Sequence, residues 1–343
     1  MERSPTPRQM AKGLLSGIVP PRPLFLPIVF SVGAKVENMP LRAFLGNPTK
    51  ICSALRQMQK HLLSDGVVCY FDPYLEVEAL GATLQRMSDD LAPTIHWPRR
   101  SLVGELPEGL RSAEEAAKSG RVPVAAEVIR RMNALANREF LLMAGVTGPM
   151  TLAARLVQLG HKEPLRSEDS SAAAQELAAS VVTQIASACL EAGADAIMIQ
   201  EEIVPALSSE GCDTWANLLA PTINIVRFYE ALPMLNFCCA HLSQEDWSLI
   251  DGQQWDCIRC APAEVISSRQ KEGSPPTDDG PFGIALPLDV FQLNSAYDKV
   301  AVQDIQTWIS DLRPGIITTA GDLPITTDMK QLLKVFEGIP RGV

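Results

Sequence analysis

Eight short apolar runs frame any fold this chain can adopt: Leu24–Phe30, Gly66–Phe71, Phe140–Val146, Ala196–Gln200, Met234–Cys239, Trp255–Cys260, Phe282–Leu286 and Gly315–Thr319. Each is apolar nearly throughout and bounded by Pro, Gly or charge. That is the pattern of a strand covered on both faces; a strand with one wet face would alternate. Helical stretches separate the runs. Asn47-Pro48 reads as an N-cap with proline at the first helical position, opening a helix through about His61. Ser170 to Leu190 is Ala-rich and stops at Glu191-Ala192-Gly193-Ala194-Asp195, and Asp213 to Tyr229 reads as another helix. Ser243-Gln244-Glu245-Asp246 looks like a capping box, and Thr326 or Thr327 is the expected cap of a last helix ending near Gly338. Eight buried strands alternating with helices predict an α/β fold, a (β/α)8 TIM barrel in one domain over 1–343, with a doubly wound sheet as the rival. Ser88–Gly120 and Ser267–Pro281 fit neither element and read as insertions or loops able to cover a site.

Composition narrows the function classes. The 343 residues are 46% hydrophobic, ample for a core of barrel size, and the net charge of −10 disfavours nucleic acid, which needs clustered Lys and Arg. No apolar stretch reaches the length of a membrane span. Eight cysteines with no secretory leader predict thiols in a reducing cytoplasm rather than a disulfide scaffold.

Barrels meet their ligands at the carboxyl ends of the strands. That rule selects Asp72, Tyr74 and Glu76 after the second run, Glu201 and Glu202 after the fourth, Asn236 to His241 at the fifth, Cys257 to Cys260 at the sixth, and Thr318 to Asp322 at the eighth. Asp72 stands where an apolar strand stops at Asp72-Pro73, and its competing role is a helix cap or a buried structural acid. Either Glu201 or Glu202 can serve as a base, the other being a solvated charge. Strand alternation puts Asn236 and Cys238 on one face, and sends Cys257 and Cys260 to opposite sides, so their spacing alone is a weak metal signal. A mixed zinc site from Cys238, His241, Cys260 and a carboxylate is chemically reasonable; the same cysteines also suit a core as small apolar residues.

Several segments together resemble the uroporphyrinogen decarboxylase superfamily over nearly the whole chain: Arg22-Pro23-Leu24-Phe25, Tyr70 to Gly81, Gly145 to Ala153, Glu191 to Ala196, and Asp322-Leu323-Pro324. The resemblance implies a distorted (β/α)8 barrel, either a decarboxylase or a corrinoid- or thiol-linked methyltransferase, and makes a homodimer an expectation. In the decarboxylase branch an Arg-rich loop follows the first strand. Here that region is Phe30-Ser31-Val32-Gly33-Ala34-Lys35, the family tyrosine aligns with Arg155, and the late histidine is replaced in Ala320-Gly321-Asp322. Asp72 alone is retained, so uroporphyrinogen itself is not the expected substrate. Thiol-activating methyltransferases of the superfamily bind zinc through His-x-Cys and a later Cys. This chain has Asn236-Phe237-Cys238 and, near the third position, Gly321, so zinc requires a site rebuilt from His241, Cys260 or Glu201.

The expected function is therefore methyl transfer from a small methylated substrate to a thiol or to a corrinoid on a partner protein. Asp72 and Glu201 are the expected catalytic acids, Tyr74, Glu76, Arg155 and Asn236 the substrate contacts, and Cys238, His241 and Cys260 the metal ligands. A decarboxylase or other lyase of a small acid, and a non-catalytic barrel that binds a small molecule, are the alternatives.

Overall fold

The computed structural model describes residues 4–89, 91–98, 106–135, 139–157, 171–204, 208–238, 242, 244–253, 255–263, 265–266, 280–291 and 300–339. In chain order the elements are α1 (Pro7–Leu15), β1 (Leu24–Phe25), α2 (Val32–Val36), α3 (Leu41–Leu45), α4 (Pro48–Leu62), β2 (Gly66–Tyr70) and α5 (Leu75–Ala79). A small hairpin, β3 (Thr83–Gln85) with β4 (Thr94–His96), precedes α6 (Ala113–Ala116) and α7 (Val122–Leu135). Then follow β5 (Leu141–Thr147), α8 (Pro149–Val157), α9 (Ala172–Glu191), β6 (Ala196–Glu201), α10 (Ser209–Phe228), β7 (Leu232–Phe237), α11 (Gln244–Asp251) and β8 (Ile258–Pro262). The chain ends with β9 (Gly283–Leu286), α12 (Val300–Leu312), β10 (Ile316–Thr319) and α13 (Met329–Phe336).

Eight strands form one all-parallel sheet in the order β1-β10-β9-β8-β7-β6-β5-β2. Its two edges meet through Asp65, whose backbone N–H donates to Phe25 O at 2.9 Å while its carboxylate accepts from Phe25 N at 2.9 Å. Arg22 clamps the same carboxylate with two bonds, 2.6 and 2.7 Å. A side chain thus supplies at the seam what a regular ladder supplies elsewhere, and the sheet is a nearly closed (β/α)8 barrel. Among the described residues, no helix is long and apolar enough to cross a membrane.

All eight apolar runs become barrel strands, with shifted ends. The first keeps its ladder only over Leu24–Phe25, because Pro27 has no N–H to give and Ile28 N turns to Thr319 Oγ1 at 3.0 Å. The sixth starts at Ile258, since Trp255 docks edge-on against Trp215 and donates its indole N–H to Ile250 O. Asn47 caps α4 and Ser171 caps α9, and Gly193, at φ +104°, makes the stop before β6. The last helix is capped by Asp328, not by Thr326 or Thr327: its carboxylate takes the N–H groups of Lys330 and Gln331, and an acid suits the positive helix end. Helix α10 begins at Ser209, four residues before the expected Asp213. The expected capping residue Ser243 lies outside the described residues, as does 267–279 of the second candidate loop. In the first, β4 and α6 are regular structure.

Candidate active site at the carboxyl end of the barrel

Asp72 follows β2 and is 4% exposed, yet it is not a free acid. Arg86 reaches it with bonds of 3.0 and 3.1 Å, Arg121 with one of 2.6 Å, and Tyr74 N closes the local turn at 3.1 Å. Arg121 also holds Glu78 at 2.5 Å, and its guanidinium is pushed further up by Asp72, Tyr70 and Glu78 against the cost of burial. Arg86 follows β3 and Arg121 precedes α7. One carboxylate therefore ties the hairpin and the start of a helix to the top of β2.

A second cluster surrounds Arg155 of α8, which is 3% exposed. It donates to Pro73 O, pairs with Glu202, and stacks 4.8 Å from the Tyr74 ring centre. Arg86 approaches the same ring at 5.9 Å. Glu76, sealed from solvent, accepts Thr147 N at 2.9 Å and Thr147 Oγ1 at 2.8 Å. Burial pushes its carboxyl up to about 7 against those two donors.

Glu201, the last residue of β6, points into the start of α8. It accepts Met150 N (3.1 Å), Thr151 N (3.0 Å), Thr151 Oγ1 (2.6 Å) and Trp215 Nε1 (3.1 Å). Helix amides aimed at a carboxylate satisfy the orphan donors of the helix end. Burial nonetheless raises this carboxyl to about 7 as well.

These two buried acids give a pH dependence with a definite sign. Below the ordinary carboxyl value of 4.5, folded and unfolded chains are both protonated, and the contribution is fully present. As pH rises toward 7 the unfolded chain ionises first, so stability is lost across that window. Glu76→Gln is expected to remove one such term: between pH 5 and pH 8 the variant should gain about 3 kcal/mol relative to wild type. Denaturant titrations at the two pH values check this, and parallel shifts in both proteins would count against it.

The floor of the barrel end is built on β6, β7 and β10. Asn236 Nδ2 donates to Thr319 O at 3.0 Å and to Gln200 Oε1 at 3.2 Å; Cys238 Sγ donates to the same Gln200 oxygen at 2.5 Å. Asn236 is fully buried, and its Oδ1 has no partner among the described residues. Cys238 is partly exposed, 4.0 Å from where a Cβ on Gly321 would stand. Asp322, partly buried, accepts Ser31 N at 3.0 and 3.2 Å. Burial pushes it up to about 7, and nearby Asp72 adds to the rise.

The donors described here do not fit zinc. Among the described residues, no three His, Cys, Asp or Glu side chains converge. Cys238 hydrogen-bonds a carbonyl oxygen, a bond open to a thiol and closed to the thiolate that zinc needs. Cys260 is fully buried beside Gly283, its thiol pushed well up by burial, and Gly321 has no side chain. His241 lies outside the described residues.

Asn236 and Cys238 thus meet at Gln200, Tyr74 meets Arg155, and Glu76 and Arg155 both reach Thr147. Glu201 faces the helix end, and Cys260 is buried beside Gly283. Strand-end reasoning missed Arg86, Arg121, Gln200 and the role of Asp322. The two arginines flank the segment 88–120 that reads as an insertion, and charge bordering an insertion is the signal that could have found them.

The family described as Uroporphyrinogen decarboxylase (URO-D) matches residues 14–267, and the chain belongs to that family. No curated protein is similar enough in sequence to match. A methyltransferase from Methanosarcina mazei superposes with a TM-score of 0.73 at 16% identity, over 97% of this chain and 98% of that one. A putative vitamin-B12 independent methionine synthase from Listeria monocytogenes gives a TM-score of 0.51 at 10% identity, over 93% and 95%. At such identities the likeness is one of fold.

Proposed function

We propose that this protein transfers a methyl group from a small methylated compound to a corrinoid acceptor carried by a partner protein. The observation that carries the reading is the charge state of the barrel mouth. Arg86 and Arg121 are engaged by Asp72 and Glu78, Arg155 by Glu202, and Lys35 by Thr327 O at 2.8 Å. A decarboxylase of a polycarboxylate substrate needs guanidinium forks free to grip it. The forks described here are already taken by the chain's own acids, which argues for a small substrate without several carboxylates.

Methyl transfer asks for a different site. It needs a restricted floor that orients the methyl donor, an open end for the acceptor, and a departing atom that leaves neutral. Asn236, Gln200 and Cys238 supply the floor. Asp322 places a carboxyl at the same end that can hold or give a proton near neutral pH. Asp72 fixes Arg86 and Arg121, and so the shape of the rim. A corrinoid acceptor brings its own nucleophile, so nothing in the chain has to activate a thiol.

The test is transfer of radiolabelled methyl from a set of small O- and N-methyl donors to free cob(I)alamin. Label is expected in the corrinoid with at least one donor, and its rate is expected to fall about 100-fold in Asp322→Asn. No transfer from any donor, with carbon dioxide released from a small acid instead, would give the site to a lyase.

A further inference from the structure

Asn236 carries a buried acceptor that nothing in the chain satisfies. Its orientation is fixed by chemistry: Thr319 O can only accept, so the atom 3.0 Å away must be Nδ2 and the other must be Oδ1. Gln200 is locked in turn, because its Oε1 takes Asn236 Nδ2 and Cys238 Sγ while its Nε2 lies 2.9 Å from Met198 Sδ. No flip of either amide repairs the network. Among the described residues Asn236 Oδ1 remains without a donor, and buried acceptors of this kind call for a ligand or an internal water.

The surroundings define what would fit. Oδ1 is sealed from bulk water in this state, and partly exposed Cys238, which shares Gln200 Oε1 with Asn236, marks the side from which an occupant enters. The occupant must donate a hydrogen bond. It also meets a mouth in which the guanidiniums of Arg86, Arg121 and Arg155 are already matched by Asp72, Glu78 and Glu202, so none of these three forks is free for an anion. Such a mouth suits a cation better than an anion.

We propose that Asn236 forms the floor of a binding site for a protonated N-methyl amine, the ammonium N–H donating to Asn236 Oδ1. The proposal rests on the methyl-transfer reading and narrows its substrate class. An amide oxygen suits an ammonium because it accepts the hydrogen bond without taking the proton, as a carboxylate could. The proton then stays where transfer needs it. When the acceptor's electron pair forms the new bond to the methyl carbon, the C–N bond breaks, its electrons return to nitrogen, and the amine departs neutral with its N–H intact.

Calorimetric titration of the full chain with trimethylammonium and with tetramethylammonium, which has no N–H, tests this at neutral pH. Trimethylammonium is expected to bind at least about tenfold more tightly, and Asn236→Leu is expected to erase that advantage. Equal affinities in the wild type would overturn the proposal, leaving Oδ1 to an internal water only; an advantage that survives in Asn236→Leu would overturn it too, as an effect of size. The wild-type comparison decides even if the variant does not fold. Trimethylammonium that binds as expected but passes no methyl to cob(I)alamin would sink the methyl-transfer reading and leave the site. Turnover of a methyl ether with no ammonium binding would do the reverse.

Discussion

Asp72→Asn is expected to slow methyl transfer about 100-fold and to lower stability by about 3 kcal/mol. The carboxylate accepts from two guanidiniums and a backbone amide, and both arginine side chains are largely buried. An asparagine keeps one acceptor oxygen and turns an NH2 group toward a guanidinium donor. Arg86 and Arg121 then lose their shared counter-charge, and Glu78 remains for Arg121 alone. The cost is that of an uncompensated buried charge, well above that of an exposed pair. The hairpin and the start of α7 lose their tether to β2, so the rim loosens where the substrate must be held. A loss of about 100-fold in turnover is the expected scale for such misplacement. Denaturation curves and the labelled-methyl assay on one preparation check both halves. A variant within about 1 kcal/mol of wild type would contradict the clamp, and one that also turns over normally would remove Asp72 from the site.

The strand-end rule located Asp72 but could not name what it does. Its two partners lie 14 residues away at Arg86 and 49 away at Arg121, in elements whose approach to β2 depends on the packed barrel. The barrel itself was legible because parallel strands buried on both faces leave uninterrupted apolar runs, and each of the eight stands as a strand. Only their ends slipped, where one side chain outweighed propensity: Pro27 cut β1 short and Trp255 turned away to Trp215. Alternation along β7 was legible too, since Asn236 and Cys238 both reach Gln200. Glu201 was not. It reads as a base at a strand end, yet the donors that engage it sit about 50 residues back at Met150 and Thr151, and on α10 at Trp215. Nothing in the local pattern of Gln200-Glu201-Glu202 marks which carboxylate turns inward.

Gly148→Ala tests that inward carboxylate and is expected to be the most damaging small substitution in the barrel. A Cβ on Gly148 would stand 2.1 Å from Glu201 Cδ and 2.5 Å from its Cγ, far inside any real contact. The carboxylate cannot swing aside, because four donors hold it. The backbone cannot retreat either, because Gly148 N donates to Gln200 O at 2.7 Å. Overpacking against a fixed group is expected to cost more than about 4 kcal/mol, near the limit for single substitutions. The loss should be strongly non-additive: in a Glu201→Ala background, which removes the clashing atoms, the same alanine should cost less than half as much. Equilibrium unfolding of the two singles and the double closes that cycle, and a Gly148→Ala cost below about 1 kcal/mol would mean that Glu201 is free to move. If the cycle behaves as expected, Glu201 acts through α8. It fixes the helix start from which Arg155 reaches Pro73 O, Glu202 and the Tyr74 ring, so the damage should extend to the mouth without Glu201 touching substrate.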